Sequence, residues 1–205
     1  MHLFHHPLSS NARRAMMAAI HMGTPLDCTE VNLMSADDRR RLLELNPNNK
    51  IPVLQDGDFL LWESGAIMQY LAERTLGQTL YPDDIVARAD ISRWMFWSSQ
   101  HLSPAIGVFV WERIWKDVLG QGAADPVQLA RGERELAQFA GVLDRHLAGR
   151  SWVVGGTVTL ADYALAAPLM YRQRAQLPVE QYAHLLAWFG RVQQLDAWKQ
   201  TEPVW

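Results

Sequence analysis

An Asp-Gly pair set between two apolar runs constrains this chain more than any other feature. Residues 51–55 read Ile51-Pro52-Val53-Leu54-Gln55, residues 58–62 read Asp58-Phe59-Leu60-Leu61-Trp62, and Asp56-Gly57 joins them. Such a pair between apolar runs predicts an antiparallel hairpin, with both turn residues at positive φ. A hairpin here requires a sheet, and the flanking segments supply its other parts. His2-Leu3-Phe4 is a short apolar stretch, residues 11–20 are rich in helix formers, and Gly23 stands where a helix stop is expected. Residues 26–33 read as a second strand, and residues 39–45 as a short helix closed by Asn46-Pro47. Residues 65–74 place Ala66, Ile67, Tyr70 and Leu71 at helical spacing. The order is β-α-β-(α)-β-β-α.

Residues 77–84 form a polar connector containing Pro82, and beyond it the pattern is helical throughout. Residues 85–117 form a long amphipathic run whose face carries Trp94, Trp97, His101, Ala105, Val108, Trp111 and Trp115, with Pro104 as an expected kink. Asp125-Pro126 is a cap followed by a first-turn proline and opens a helix to about residue 147. Helices are also expected over residues 159–173 and 181–195. The fold class is therefore α/β plus all-α, with one domain over residues 1–77 and a helical one over residues 85–205.

Composition narrows the function. The net charge of -3 and the scattered Lys and Arg residues leave no basic stripe for nucleic acid. The single cysteine, Cys28, rules out an internal disulfide and a thiolate zinc cluster. His5 and His6 lack carboxylates at ligand spacing, so no metal is expected. No apolar run reaches the ~18 residues of a membrane span, and the N-terminus does not read as a secretory signal. A cytoplasmic protein without a membrane or nucleic-acid partner is the expectation.

Three short segments carry chemistry. Pro52 lies in a strand-like run, where its missing N–H implies either an edge strand or a cis bond exposing backbone at a rim. Glu63-Ser64 precedes a helix: Ser64 reads as a cap, and the pair also reads as a grip for an amino-acid head group, the helix N–H groups taking the carboxylate and the acid taking the ammonium. Ser9, Ser10 and Asn11 sit at a strand-to-helix turn, as caps or as donors aimed at a ligand thiol. Cys28, on the second strand, reads as a small core residue.

Taken together, Asn46-Pro47-Asn48-Asn49-Lys50-Ile51-Pro52-Val53-Leu54, then Asp56-Gly57, then Leu61-Trp62-Glu63-Ser64-Gly65-Ala66-Ile67 resemble the glutathione-binding half of the glutathione S-transferase family. Thr159-Leu160-Ala161-Asp162-Tyr163 is similar to that family's capping box in the helical domain, and Leu80-Tyr81-Pro82 to its connector. The resemblance implies a thioredoxin-like domain followed by a helical bundle, usually as a homodimer. It places Pro52 at the cis-proline and the Ile51 backbone against the cysteinyl part of glutathione. It sets Glu63 and Ser64 on the γ-glutamyl end and Lys50 on the glycyl carboxylate.

The turn Pro7-Leu8-Ser9, with Arg13 and Arg14 following, is similar to phi- and theta-type members and makes Ser9 the catalytic match. Ser9-Ser10-Asn11 is also similar to the Thr-Pro-Asn of nu-type members, which makes Asn11 a second candidate. Glutathione is then the co-substrate, and a small hydrophobic electrophile its partner. The expected electrophile pocket lies between the domains, with His5 and Leu8 on one wall and Val108, Trp111 and Trp115 on the other. The tryptophan stripe also reads as core. A donor to sulfur, with the helix N-terminus, lowers the thiol pKa from roughly 8.5 and yields a thiolate that attacks the electrophile. A glutathione-dependent peroxidase, disulfide reductase or isomerase is the alternative on the same scaffold, and a non-catalytic binding module is the alternative outside enzymes. The turn lacks the cysteine that thiol–disulfide chemistry uses.

Overall fold

The computed structural model describes all residues, Met1–Trp205. The chain divides into two compact units, Met1–Arg88 together with Gln194–Trp205, and Ala89–Gln193.

The first unit begins with β1 (His2–His5), α1 (Ser10–Met22), β2 (Asp27–Glu30) and α2 (Ala36–Leu45), and continues with β3 (Val53–Asp56), β4 (Phe59–Trp62) and α3 (Ser64–Arg74). The strand order is β2-β1-β3-β4, with β1 parallel to β2 and antiparallel to β3, and β3 antiparallel to β4. This is the thioredoxin-like arrangement the sequence implied. Period-2 alternation sorts the strands' side chains between two faces. Phe4 packs with Val31, Leu42, Ile51 and Val53 on the face that α2 covers. Leu3 and His5 are buried on the other, where α1 and α3 pack against each other. The turn after α1 needs a left-handed residue, and Gly23 supplies it at φ 68°.

Two readings of this region are refined. The hairpin pairs Asp56 with Phe59, so its two-residue loop is Gly57-Asp58 and not Asp56-Gly57. Only Gly57 takes positive φ, at 59°, as a turn with glycine first requires. Asp56 instead closes the ladder and accepts a 2.8 Å hydrogen bond from the Tyr70 hydroxyl. Cys28 is exposed on β2 and is no core residue. Every residue of this edge strand is exposed, so its alternation buries neither face.

The second unit is helical. After α4 (Ile85–Trp97) come α5 (Ser103–Val110), α6 (Lys116–Val118), α7 (Pro126–Leu147), α8 (Leu160–Ala166) and α9 (Ala183–Gln194). The expected long helix over residues 85–117 is interrupted by two π-helical turns, Ser98–Leu102 and Trp111–Trp115. The first ends just before Pro104, which cannot donate a helical bond, so the ladder shifts register there. Asp125 caps α7 by accepting from the Val127 N–H at 2.8 Å.

Asp162 is fully buried at the third position of α8. It accepts from the backbone N–H of Val153 (2.9 Å) and Thr159 (2.8 Å), the Thr159 hydroxyl (3.0 Å) and the Trp188 indole (2.8 Å). Burial pushes its carboxyl upward and these donors pull it back. A buried carboxylate persists when its acceptor sites are filled, and Asp162 ties three segments of the unit together in this way.

The final helix, α10 (Asp196–Gln200), belongs to the first unit and packs on α1. The expected helical domain over residues 85–205 therefore loses its last segment to the α/β unit. Arg13 ties it there: its buried guanidinium donates to the Trp198 carbonyl oxygen at 3.0 Å and the Thr201 hydroxyl at 3.2 Å, beside buried Ala197 and Trp198.

Candidate functional site

Register gathers the candidate residues of the first unit. Phe4 pairs with Val53, and Val53 with Trp62, so these three form one row across the sheet. Continuing past that row, β1 runs into the turn His5-His6-Pro7-Leu8-Ser9, the chain enters β3 from Lys50-Ile51-Pro52, and β4 leaves into Glu63-Ser64. All three segments therefore emerge at one end of the sheet, and two of them lead directly into a helix N-terminus.

The Ile51-Pro52 peptide is cis. The following strand, β3, is central in the sheet, so of the two readings of Pro52 the edge strand falls and the cis bond stands. Ile51 is buried and Lys50 is exposed. The loop that presents them is held by Asn46, which the sequence marked as a helix stop and as the start of the family-like segment, with no role of its own in the site. Its side-chain amide donates to the Lys50 carbonyl at 2.7 Å, and its Oδ1 accepts from the Asn48 N–H at 3.0 Å. Asn46 is buried, and these bonds fix the chain just ahead of the cis peptide.

Glu63 stands at φ 72° and ψ 109° immediately before α3, a conformation that side chains other than glycine rarely adopt. Strain of this kind costs on the order of 1–3 kcal/mol and concentrates at ligand-holding sites. The Glu63 side chain is exposed, while Ser64 is buried as the first residue of the helix. An exposed carboxylate and a set of free helix N–H groups thus stand side by side, suited to an ammonium and a carboxylate respectively.

At the turn, Ser9 is the N-cap of α1, and its Oγ accepts from the Ala12 N–H at 3.2 Å. A hydroxyl that accepts in this way retains its own hydrogen for donation. Capping and donation to a ligand are compatible, so both readings of Ser9 survive. Ser10 is the first helical residue and Asn11, one position further, is exposed. The turn itself is braced by His6, whose Nδ1 accepts from the Leu8 N–H at 3.1 Å and whose Nε2 stands 3.6 Å from Glu30.

The same turn walls a cleft of about 320 Å³. His5, His6 and Pro7 line it together with Arg13 and Met16 of α1 and residues 200–204 of the C-terminal segment. Leu8, expected on that wall, is half-buried but does not line the cleft. The C-terminal segment thus forms one side of the cleft, and no sequence signal marks the part Arg13 plays in docking that segment.

The remaining candidates lie on the second unit. Val108 packs toward α7, where a Cβ on Gly132 would stand 3.0 Å from its Cγ1. Trp111 is exposed and Trp115 half-buried, at the two ends of the second π turn. Glu112, between them, is buried and accepts from Lys116 Nζ at 2.6 Å and the Asp125 N–H at 2.7 Å, which hold its carboxyl below the usual range.

Comparison with known proteins identifies the family. Residues 1–73 match the family profile described as glutathione S-transferase, N-terminal domain, and residues 116–196 match glutathione S-transferase, C-terminal domain. Glutathione S-transferase F10 of Arabidopsis thaliana is 28% identical over 205 residues, covering 95% of this chain and 93% of that protein. Human glutathione S-transferase theta-2 is 30% identical over 199 residues, covering 94% and 80%. Among solved structures, a theta class glutathione S-transferase of Xanthomonas axonopodis pv. citri with glutathione bound superposes with a TM-score of 0.87 at 26% identity, covering all of this chain and 97% of that one. No group of His, Cys, Asp or Glu side chains is placed to hold a metal ion, and no helix is long and apolar enough to cross a membrane.

Proposed function

Since the chain belongs to the glutathione S-transferase family, we propose that it binds glutathione at the shared sheet end and delivers its thiolate to a small hydrophobic electrophile. The observation that carries this reading is the cross-strand row Phe4, Val53 and Trp62, beyond which a hydroxyl, a strand-edge backbone and a carboxylate–helix pair emerge together. Glutathione has parts that match each. Its γ-glutamyl end carries an ammonium and a carboxylate, for Glu63 and for Ser64 with the α3 N–H groups. Its cysteinyl amide pairs with the Ile51 backbone beside Pro52. Its glycyl carboxylate pairs with exposed Lys50.

Ser9 then donates its hydroxyl hydrogen to the sulfur, while the α1 N-terminus adds partial positive charge. Both favour thiolate over thiol. The thiol proton leaves to water, the sulfur bonds to the electrophilic carbon, and the leaving group departs with the displaced electron pair. Asn11 is the second candidate for the donor. His5, on the turn beside Ser9, is assigned to the electrophile, and a homodimer is the expected assembly.

Disulfide reduction is a weaker reading. The route through a protein mixed disulfide needs a thiolate of the chain in the turn, and the chain's one thiol, Cys28, is on β2, with its pKa raised by partial desolvation and by the Asp27 charge. The test of the main reading is retention on immobilised glutathione with release by free glutathione, followed by turnover of an aryl halide, a hydroperoxide and a disulfide. Retention with aryl halide turnover supports a transferase; retention with hydroperoxide or disulfide turnover alone gives the alternative; absence of both retention and turnover leaves a binding module.

A further inference from the structure

The turn that carries Ser9 is held by His6 through both its backbone and its ring. His6, Pro7, Leu8 and Ser9 form a β-turn in which the His6 carbonyl accepts from the Ser9 N–H at 2.9 Å, and Pro7 stands where proline pre-sets the required φ. The ring adds a second tie, Nδ1 accepting from the Leu8 N–H at 3.1 Å. An accepting Nδ1 carries no hydrogen, which places the ring's one N–H at Nε2. That nitrogen stands 3.6 Å from the Glu30 carboxylate. The sheet register sets this neighbour: β1 runs parallel to β2, His5 pairs with Glu30, and the Val31 N–H donates to the His5 carbonyl at 2.7 Å. A carboxylate on the Nε2 side favours the hydrogen there and leaves Nδ1 bare for Leu8.

We propose that His6 is a positioning residue for the transferase reaction, its Nδ1 holding the turn so that the Ser9 hydroxyl meets the sulfur, and that Glu30 supports it by fixing the His6 tautomer. This rests on the glutathione reading above, in which Ser9 is the donor and neither His6 nor Glu30 touches glutathione. On its other side Ser9 is tied to α1, its Oγ accepting from the Ala12 N–H and its carbonyl from the Arg13 N–H. The helix fixes one side of Ser9 and His6 the other. Rate responds steeply to such placement, a shift of about 1 Å costing roughly 100-fold. Binding responds less, because Glu63, Ser64 and Lys50 hold the ends of the peptide. Two asparagines of this protein make the same reach of two residues: Asn46 Oδ1 accepts from the Asn48 N–H at 3.0 Å, and Asn32 Oδ1 from the Met34 N–H at 2.9 Å. His6→Asn therefore keeps the acceptor and has no tautomer to fix, whereas His6→Leu has no acceptor.

The test reads kcat, KM for glutathione and the ultraviolet thiolate titration of bound glutathione, with an aryl halide as electrophile. Folded His6→Leu has kcat lowered about 10-fold, the scale of a displacement under 1 Å, and KM within about 2-fold of wild type. Its thiolate absorbance appears at higher pH. His6→Asn recovers most of both kcat and titration. Glu30→Ala alone lowers kcat about 2- to 5-fold, the scale of one exposed charge pair, and adds nothing further beside His6→Asn. A merely structural role would lower the yield of folded protein and leave the titration in place. A wild-type titration in folded His6→Leu, no recovery in His6→Asn, or equal Glu30→Ala effects in both backgrounds overturns the proposal. A wild type that does not bind glutathione, or a Ser9→Ala complex that titrates like the wild type, overturns instead the reading on which it rests.

Discussion

The guanidinium of Arg13 stacks 3.8 Å above the ring of Trp198 and also donates to that residue's carbonyl oxygen at 3.0 Å. Arg13 follows Ser9 by one helical turn, and its N–H donates to the Ser9 carbonyl. The helix that carries the proposed sulfur donor is thus clamped by the end of the chain. Arg13→Met removes a buried charge-assisted bond and a cation–π contact, and the expected loss of stability is about 2–3 kcal/mol. Urea unfolding reads it, and an unchanged midpoint would show that the clamp carries no weight.

Asp162→Ala leaves the Val153 and Thr159 N–H groups, the Thr159 hydroxyl and the Trp188 indole unpaired in the interior. Each buried donor without a partner costs about 1–3 kcal/mol, so the expected loss exceeds that of a surface cap and is on the order of 3–5 kcal/mol. Turnover per folded molecule stays near the wild-type value. Wild-type melting together with abolished turnover would contradict this structural role.

Glu112 introduces a pH dependence whose sign follows from its partners. Its folded-state pKa lies below the ordinary 4.5, held there first by the Asp125 N–H and then by Lys116. The native state therefore favours the ionised form. The contribution is fully present above pH 4.5 and is lost as the pH falls through the lower folded-state value. Glu112→Gln is accordingly less stable than wild type at pH 6, and the gap narrows below pH 4. Thermal melts across that range check it, and a gap that widens in acid would be the wrong sign.

How much of this was legible in the sequence depended on how local the cause was. Gly23 and Asp125-Pro126 act within a turn or two of their own positions, and the structure has the expected helix ends there. The turn at Gly57-Asp58 came out one residue late because the register is set by Asp56 pairing with Phe59, a cross-strand fact. Cys28 was misjudged because burial on an edge strand depends on what covers it, and no alternation reports that. Pro52 had two readings that only the strand order separated. The clamp of Arg13 on Trp198 spans nearly the whole chain, and no periodicity links them. For the site, the residue types were readable from motif and spacing, whereas Asn46's grip on the loop and the placing of His6 between Leu8 and Glu30 required coordinates.

Glu63 tests the γ-glutamyl end of the site. Its side chain is exposed, so Glu63→Ala removes a charge-assisted hydrogen bond to the ammonium without opening a cavity. Glutathione affinity is expected to fall by about 1.5–3 kcal/mol, while the unfolding midpoint changes little, because alanine keeps the Cβ and with it the positive-φ strain. Calorimetric titration gives the affinity, and an unaltered value in the folded variant would remove Glu63 from the site.

The central claim is that the Ser9 hydroxyl stabilises the glutathione thiolate, and the ultraviolet absorbance titration of bound glutathione tests it most directly. Ser9→Ala also removes a helix cap, at a cost of about 1 kcal/mol in stability, but the titration reports only on the folded complex. The account predicts that the thiolate absorbance of the Ser9→Ala complex appears at higher pH than in the wild type, with affinity falling less than turnover, because Glu63, Ser64 and Lys50 still hold the ends of the peptide. Ser10→Ala leaves the titration nearly unmoved. A Ser9→Ala complex that titrates like the wild type would contradict the account, and a shift in Asn11→Ala instead would transfer the role to that amide.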